Sequence, residues 1–155
     1  MRIIHIVETL DPATGGPAVV APSLAAAQAS LGHNVRLVCN NAPRARQPMQ
    51  SLLDTIPGIE NVHVDDTAAN RVRERILPFN NLRLLHRHID HSTAVHLHGM
   101  WEPTLWMSSA LARNRGAVYV VRPCSMLHPW QMRRRVFLKK LAFLLGAGHM
   151  LRKAS

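Results

Sequence analysis

The chain has 155 residues, 47% hydrophobic and 18% charged, which suits one domain with a real core. Two distant cysteines, Cys39 and Cys124, sit in no metal-ligand spacing; they exclude a disulfide framework and fit a reducing compartment. The formal net charge of +10 is unevenly placed: all nine acids lie at or before Glu102, balanced there by nine Lys and Arg, while ten basic residues from Arg113 to Lys153 have no acid among them.

In chain order, Ile3 to Val7 reads as a buried parallel strand. Its apolar run ends at Glu8, too soon for a signal peptide. A loop closing on Gly15-Gly16-Pro17 leads to an Ala-rich helix, Ala18 to Leu31, with Pro22 in its first turn and Gly32 at its end. Val35 to Cys39 is a second strand. Asn40 to Pro57, polar and with three prolines, reads mostly as loop. Val62 to Val64 is a weak third strand. An early turn around Val72 to Ile76 and a helix from Leu82 to Ile89 follow. Ala94 to His98 is a fourth strand, Pro103 to Asn114 a helix with proline at its start, and Val118 to Val121 a fifth strand. Gln131 to Leu145 reads as one basic amphipathic helix, with Phe137, Leu141, Leu144 and Leu145 along one side, a face that packs on a domain core more often than it anchors at a membrane. Leu141 to Leu151 falls far short of the ~20 residues of a membrane span. A further strand is expected to begin near Arg152-Lys153-Ala154-Ser155.

Strands alternating with helices predict an α/β fold, a Rossmann-like doubly wound parallel sheet in three α/β/α layers with strand order 3-2-1-4-5. Ligands in such sheets bind beyond the carboxyl ends of the strands, at the switch point between the first and fourth. Gly15-Gly16 and Leu97-His98-Gly99-Met100-Trp101 would flank that one crevice. The glycine pair could admit a phosphate to backbone N–H groups before a helix, although the loop lacks both dinucleotide and P-loop spacing; an ordinary tight turn is the alternative. Alternation puts Ala94, His96 and His98 on one face, with His98 at the tip, placed to hydrogen-bond a hydroxyl or move a proton, and His96 deeper and structural.

Arg122, beside Cys124 and Ser125, could grip an anion or pair with a loop acid. Basic neighbours of Cys124 are expected to lower its pKa, but no base stands next to it for a nucleophilic role. His86, His88, His91, His96 and His98 lack a ligand motif, so no metal is expected. Arg133, Arg134, Arg135, Lys139 and Lys140 form a basic surface for an anion, a lipid head group or solvent alone. They lack the aromatic interleaving of nucleic-acid platforms, so no nucleic acid is expected.

Four segments resemble the amino-terminal domain of family-4 glycosyltransferases, retaining enzymes of the GT-B architecture. They are Gly15-Gly16-Pro17 after the opening strand, Leu31-Gly32-His33-Asn34-Val35, His96-Leu97-His98-Gly99-Met100-Trp101, and Val121-Arg122-Pro123-Cys124-Ser125-Met126-Leu127-His128-Pro129-Trp130. The resemblance spans residues 1–155 and implies one half of a GT-B enzyme, without its donor-binding carboxy-terminal domain. It implies transfer of a sugar from a nucleotide diphosphate to a hydroxyl of a glycan or lipid-linked acceptor, with no cofactor beyond the nucleotide sugar. Gly15 and Gly16 would lie at the donor diphosphate, His98 near the reacting carbon as the catalytic contact, and Arg122, Cys124 and Ser125 on the acceptor side.

Cys124-Ser125 stands where the family usually has His-Gly, and Ser in place of Gly strains a backbone that needs positive φ. The resemblance further implies a second domain in cis or trans, and with one wall of the crevice no turnover by this chain alone is expected. The cysteines fit a cytoplasmic site of action, and the uncompensated basic residues after Glu102 point to peripheral contact at an anionic inner membrane face. The competing readings are a non-enzymatic remnant or binding module of the same fold, and a basic nucleic-acid-binding domain, which nothing like a helix-turn-helix or zinc module supports.

Overall fold

The computed structural model describes residues 1–67 and 78–155. The expected turn around Val72 to Ile76 lies outside the described residues. Five parallel strands, β1 (Arg2–Val7), β2 (Asn34–Cys39), β3 (Val62–Asp66), β4 (Thr93–His98) and β5 (Val118–Arg122), form one sheet in the order β3-β2-β1-β4-β5. This is the predicted doubly wound order, with the switch between β1 and β4.

Alternation along each strand divides the core in two. On one face Ile3, Val7, Val35, Leu37 and Cys39 pack beneath α1 (Gly16–Ser30). Ala18, Ala21, Ala25 and Ala26 are buried there, and their small side chains let the helix lie close to the sheet. Pro22 falls in the second turn rather than the first, because the helix begins at Gly16; it is buried, and its missing N–H removes one backbone bond. On the other face Ile4, Ile6, Val95, Leu97 and Tyr119 pack beneath α3 (Phe79–His88) and α4 (Pro103–Asn114). The first face is bare over β5, where Val118 and Val120 are exposed.

The polar stretch expected to be loop instead contains a 3-10 turn, Pro43–Ala45, and α2 (Arg46–Leu53). Pro48 is the third residue of that helix, where its missing N–H costs nothing, and Met49 and Leu53, four apart, are buried against the core.

The expected single helix over Gln131 to Leu145 is broken. It becomes α5 (Pro129–Met132), α6 (Val136–Ala142), a π-turn (Phe143–Ala147) and α7 (Gly148–Arg152). Arg135 holds a left-handed backbone, φ 52°, which ends the first piece. The residues expected to face inward point outward instead: Phe137 is 88% exposed and Leu144 86%, with Leu141 and Leu145 also exposed. The π-turn rotates the helix so that Phe143, Ala147 and Met150 make the inward contacts. Tyr119 Oη donates to the Met150 carbonyl at 2.7 Å, and the Ser155 amide donates to the Tyr119 carbonyl at 3.0 Å, so the chain reaches the β5 edge where a further strand was expected.

Candidate functional site

Register builds the site. Val7 lies opposite His98, so the two strands deliver Glu8 and Gly99 side by side. Gly99 has φ 122°, and a Cβ there would meet Glu102 Oε2 at 3.1 Å and Leu105 Cδ1 at 3.2 Å; only glycine lets the chain turn tightly after His98. Beyond these ends opens a cleft of about 230 Å³, lined among others by Glu8, Thr14, Pro17, Arg44, His98 and Glu102. Asn41 fastens its wall: its side-chain oxygen accepts from the Leu10 amide at 2.8 Å and from Thr9 Oγ1 at 2.7 Å, tying the β1 loop to the β2 loop.

His98 is 2% exposed. Its Nε2 faces His5 Nδ1 at 2.9 Å, and His5 Nε2 meets Gln28 Oε1 of α1 at 2.7 Å. His98 Nδ1 is buried with no hydrogen-bond partner. His96 stacks on the His98 ring, centroids 4.3 Å apart and planes 25° apart. Burial, then the neighbouring His96, His5 and Arg122, push His98 down to about 2; burial pushes His5 down to about 4 against the opposing Gln28 bond. Both rings are neutral at physiological pH.

Ring nitrogens of His5, His96 and His98 come within 4.8 Å of one another. The His5 and His98 nitrogens are turned to each other and the His96 ring is stacked on His98, so the three could take an ion only by giving up the His5–His98 hydrogen bond. His86 lies elsewhere, in contact with Arg115.

The cleft also holds an acid pair that sequence reasoning missed. Burial lifts the Glu102 carboxyl to about 7, and the Glu8 carboxyl beside it, hydrogen-bonded to it, adds to the rise. A neighbouring carboxyl group disfavours the charged form of Glu102 and so favours its protonated form. Both residues directly follow or closely trail the strands that flank the switch point, and this position was the available signal. His5 and Gln28 carried no such signal, because their proximity to His98 depends on β1–β4 register and on how α1 lies on the sheet.

His98 lines the crevice, whereas Gly15 and Gly16 are not themselves among its lining residues. Gly15 and Gly16 lie between Thr14 and Pro17, two of the cleft residues. Gly15, at φ 103° and ψ −155°, needs glycine; Gly16, which opens α1, has ordinary φ. Arg122, Cys124 and Ser125 are not among the cleft residues; Met126 is the member of that segment that reaches it. The Arg122 side chain is exposed and makes no ion pair among the described residues. The expectation for Cys124 is corrected: burial raises its pKa, and the lowering effect of Arg122 is smaller.

The strain expected at Ser125 is present, and Cys124 shares it: their φ values are 66° and 51°. Ser125→Gly is expected to stabilise the fold by about 1 kcal/mol. A denaturant midpoint unchanged or lowered in the variant would contradict this.

Beside the cleft, sharing Met126 with it, runs an open groove of about 380 Å³ lined by Trp101, Met126, Gln131, Arg134, Arg135 and Lys139. The Lys139 ammonium sits 5.3 Å from the Trp101 ring centroid, and Arg134 stacks 5.2 Å from Trp130. Arg133, Arg134, Arg135 and Lys140 are exposed, Lys139 is half-buried, and none of the five pairs with a carboxylate among the described residues. No helix among the described residues is long and apolar enough to cross a membrane.

Sheet order and switch-point cleft together define a Rossmann-like α/β domain with an open cleft at the carboxyl edge of its sheet. The model of the glycosyl transferase 4-like domain matches residues 15–155, and the chain belongs to that family, as an amino-terminal domain of the family-4 glycosyltransferases. No curated protein and no solved structure matches the chain.

Proposed function

We propose that the chain forms the acceptor-side wall of a retaining glycosyltransferase that moves a hexosyl group from a nucleotide-diphosphate sugar to a hydroxyl of a glycan or lipid-linked sugar. The carrying observation is His98: buried at the tip of β4, facing the switch-point cleft, with one ring nitrogen unpartnered. A neutral acceptor there suits a sugar hydroxyl, and the uncapped start of α1 after Gly15 suits the donor diphosphate. The diphosphate leaves with the bonding electrons, the acceptor oxygen bonds to the same carbon, and the departing phosphate oxygen takes the hydroxyl proton. The groove at Trp101 offers an aromatic face and three cations to an acceptor, with Arg122, Cys124 and Ser125 shaping its approach.

The cleft is open, and water in an open site weakens every electrostatic contact. A second, donor-binding domain in cis or trans completes the site in this reading. The purified 155-residue chain is therefore expected to show no multiple turnover, by hydrolysis or transfer, with a panel of sugar nucleotides. Clear turnover by the chain alone sinks the one-wall reading.

The same reading places the enzyme at the cytoplasmic face of an anionic membrane. Phe137, Leu144 and Leu145 face solvent together with Arg133, Arg134, Arg135 and Lys140. An exposed apolar stripe bordered by unpaired cations suits an anionic bilayer surface. Basic residues contribute about 1 kcal/mol each near such a surface, within a Debye length of about 8 Å at physiological salt. Co-sedimentation with anionic but not neutral vesicles is expected at physiological salt, and its loss when Arg133, Arg134, Arg135, Lys139 and Lys140 are all changed to Gln. Equal sedimentation of wild type and variant would refute the membrane role.

A further inference from the structure

The polar groups beneath the cleft are ordered along one line. Gln28 Oε1 can only accept, so the hydrogen between it and His5 belongs to His5 Nε2. His5 is neutral, and a neutral imidazole with a proton on Nε2 has a lone pair on Nδ1. That lone pair faces His98 Nε2, so the proton between the rings belongs to His98. His98 is neutral in turn, and its Nδ1, the orphaned buried atom in the wall of the cleft, is left with a lone pair. His96, stacked on the same ring, limits its rotation.

We propose that Gln28 and His5 are positioning residues that hold His98 as the tautomer with its lone pair on Nδ1, so that the cleft takes a hydroxyl-donating group, such as a sugar hydroxyl, at that atom. The proposal rests on the transferase reading only for the identity of that hydroxyl; the tautomer rests on Gln28 presenting its Oε1 to His5 and on the His5–His98 contact. A buried acceptor left empty is costly, and a hydroxyl donor relieves that cost where an ether or a bare carbonyl does not. The relay thus selects for a donor group at this point, and it does so from a helix on the far side of the ring from the ligand.

The decisive measurement is the tautomer, read from two-bond proton–nitrogen correlation spectra of the chain labelled with 15N-histidine and assigned with single His→Gln variants. In wild type, His98 is expected to carry its proton on Nε2 alone. Gln28→Glu, which keeps an acceptor facing His5, is expected to preserve that signature. Gln28→Leu, which removes it, is expected to turn the single His98 tautomer into a mixture. Gln28 is half-buried on the helix surface, so the fold tolerates both changes. A wild-type proton on His98 Nδ1 overturns the relay, as does a Gln28→Leu spectrum identical to wild type at His98; if Gln28→Leu fails to fold, the wild-type and Gln28→Glu spectra decide. Turnover plays no part in these spectra. An enzyme that joins this domain to a donor-binding one and is inactive despite the expected tautomer therefore counts against the transferase reading alone, and an active one with the opposite tautomer against the relay alone.

Discussion

Replacing His98 by Ala, in an enzyme that joins this domain to a donor-binding one, is expected to lower kcat by about 100-fold or more, and replacing His96 by Ala by far less. A preorganised hydrogen-bonding group in a water-excluded site is worth about 10²–10³ in kcat when removed. His98 is the ring that lines the cleft, with a free nitrogen, whereas His96 is half-buried one pleat deeper, next to the bare part of the sheet at Val118 and Val120. His98→Ala also strands His5 Nδ1 in the interior, at about 1–3 kcal/mol of stability. Circular dichroism and a denaturant midpoint on each variant separate this loss from the catalytic one. Wild-type kcat in a folded His98→Ala enzyme, or an equal loss in His96→Ala, would falsify the assignment.

Glu102→Gln is expected to stabilise the domain by about 2 kcal/mol above pH 7 and to leave it unchanged below about pH 4.5. The sign follows from the direction of the shift. Burial and Glu8 raise the folded-state value of Glu102 from 4.5 to about 7, so between those values the native state holds a proton that the unfolded state has released. Stability therefore falls as pH rises through this window, and the penalty is complete once the native carboxyl ionises. Gln mimics the protonated acid, can donate to Glu8, and can still accept from the Trp101 amide, which Glu102 Oε2 now does at 3.1 Å. Urea midpoints of both proteins from pH 4 to pH 8 provide the check. A difference that does not grow with pH would mean that the Glu102 carboxyl is not held protonated in the folded state.

The sheet was legible because its strands are short β-branched runs between helical segments, and its order follows from right-handed crossovers. The crevice was legible for the same reason, since the loop after β1 closes on Gly15-Gly16 and His98 ends β4, the two strands at the switch. What escaped depends on distances that no local pattern carries. The broken basic helix turned on a left-handed Arg135 and a π-turn, neither signalled by composition. The stripe of Phe137, Leu141, Leu144 and Leu145 had the period of a buried face, yet periodicity states that a face exists and not what covers it. The helix at Arg46–Leu53 was hidden by Pro48, which reads as a breaker until the helix start is known. His5 read as one strand residue among five, and only register turned it into a partner of His98.

The union of His5 with His98 also has a consequence in time. They lie 93 residues apart in sequence, yet β1, first to be synthesised, is the central strand. At about 5–20 residues per second, β1 waits roughly 5–20 seconds on the ribosome for the strand that closes its second edge. Until then only β2 can shelter it, and one row of its backbone groups stays open to any passing strand. The nascent chain is therefore most vulnerable to mispairing along the edge that later supports the cleft. A holdase that covers the opening segment, or synthesis slowed before Thr93 and quick through it, bears on the yield of folded protein more than any change at the surface.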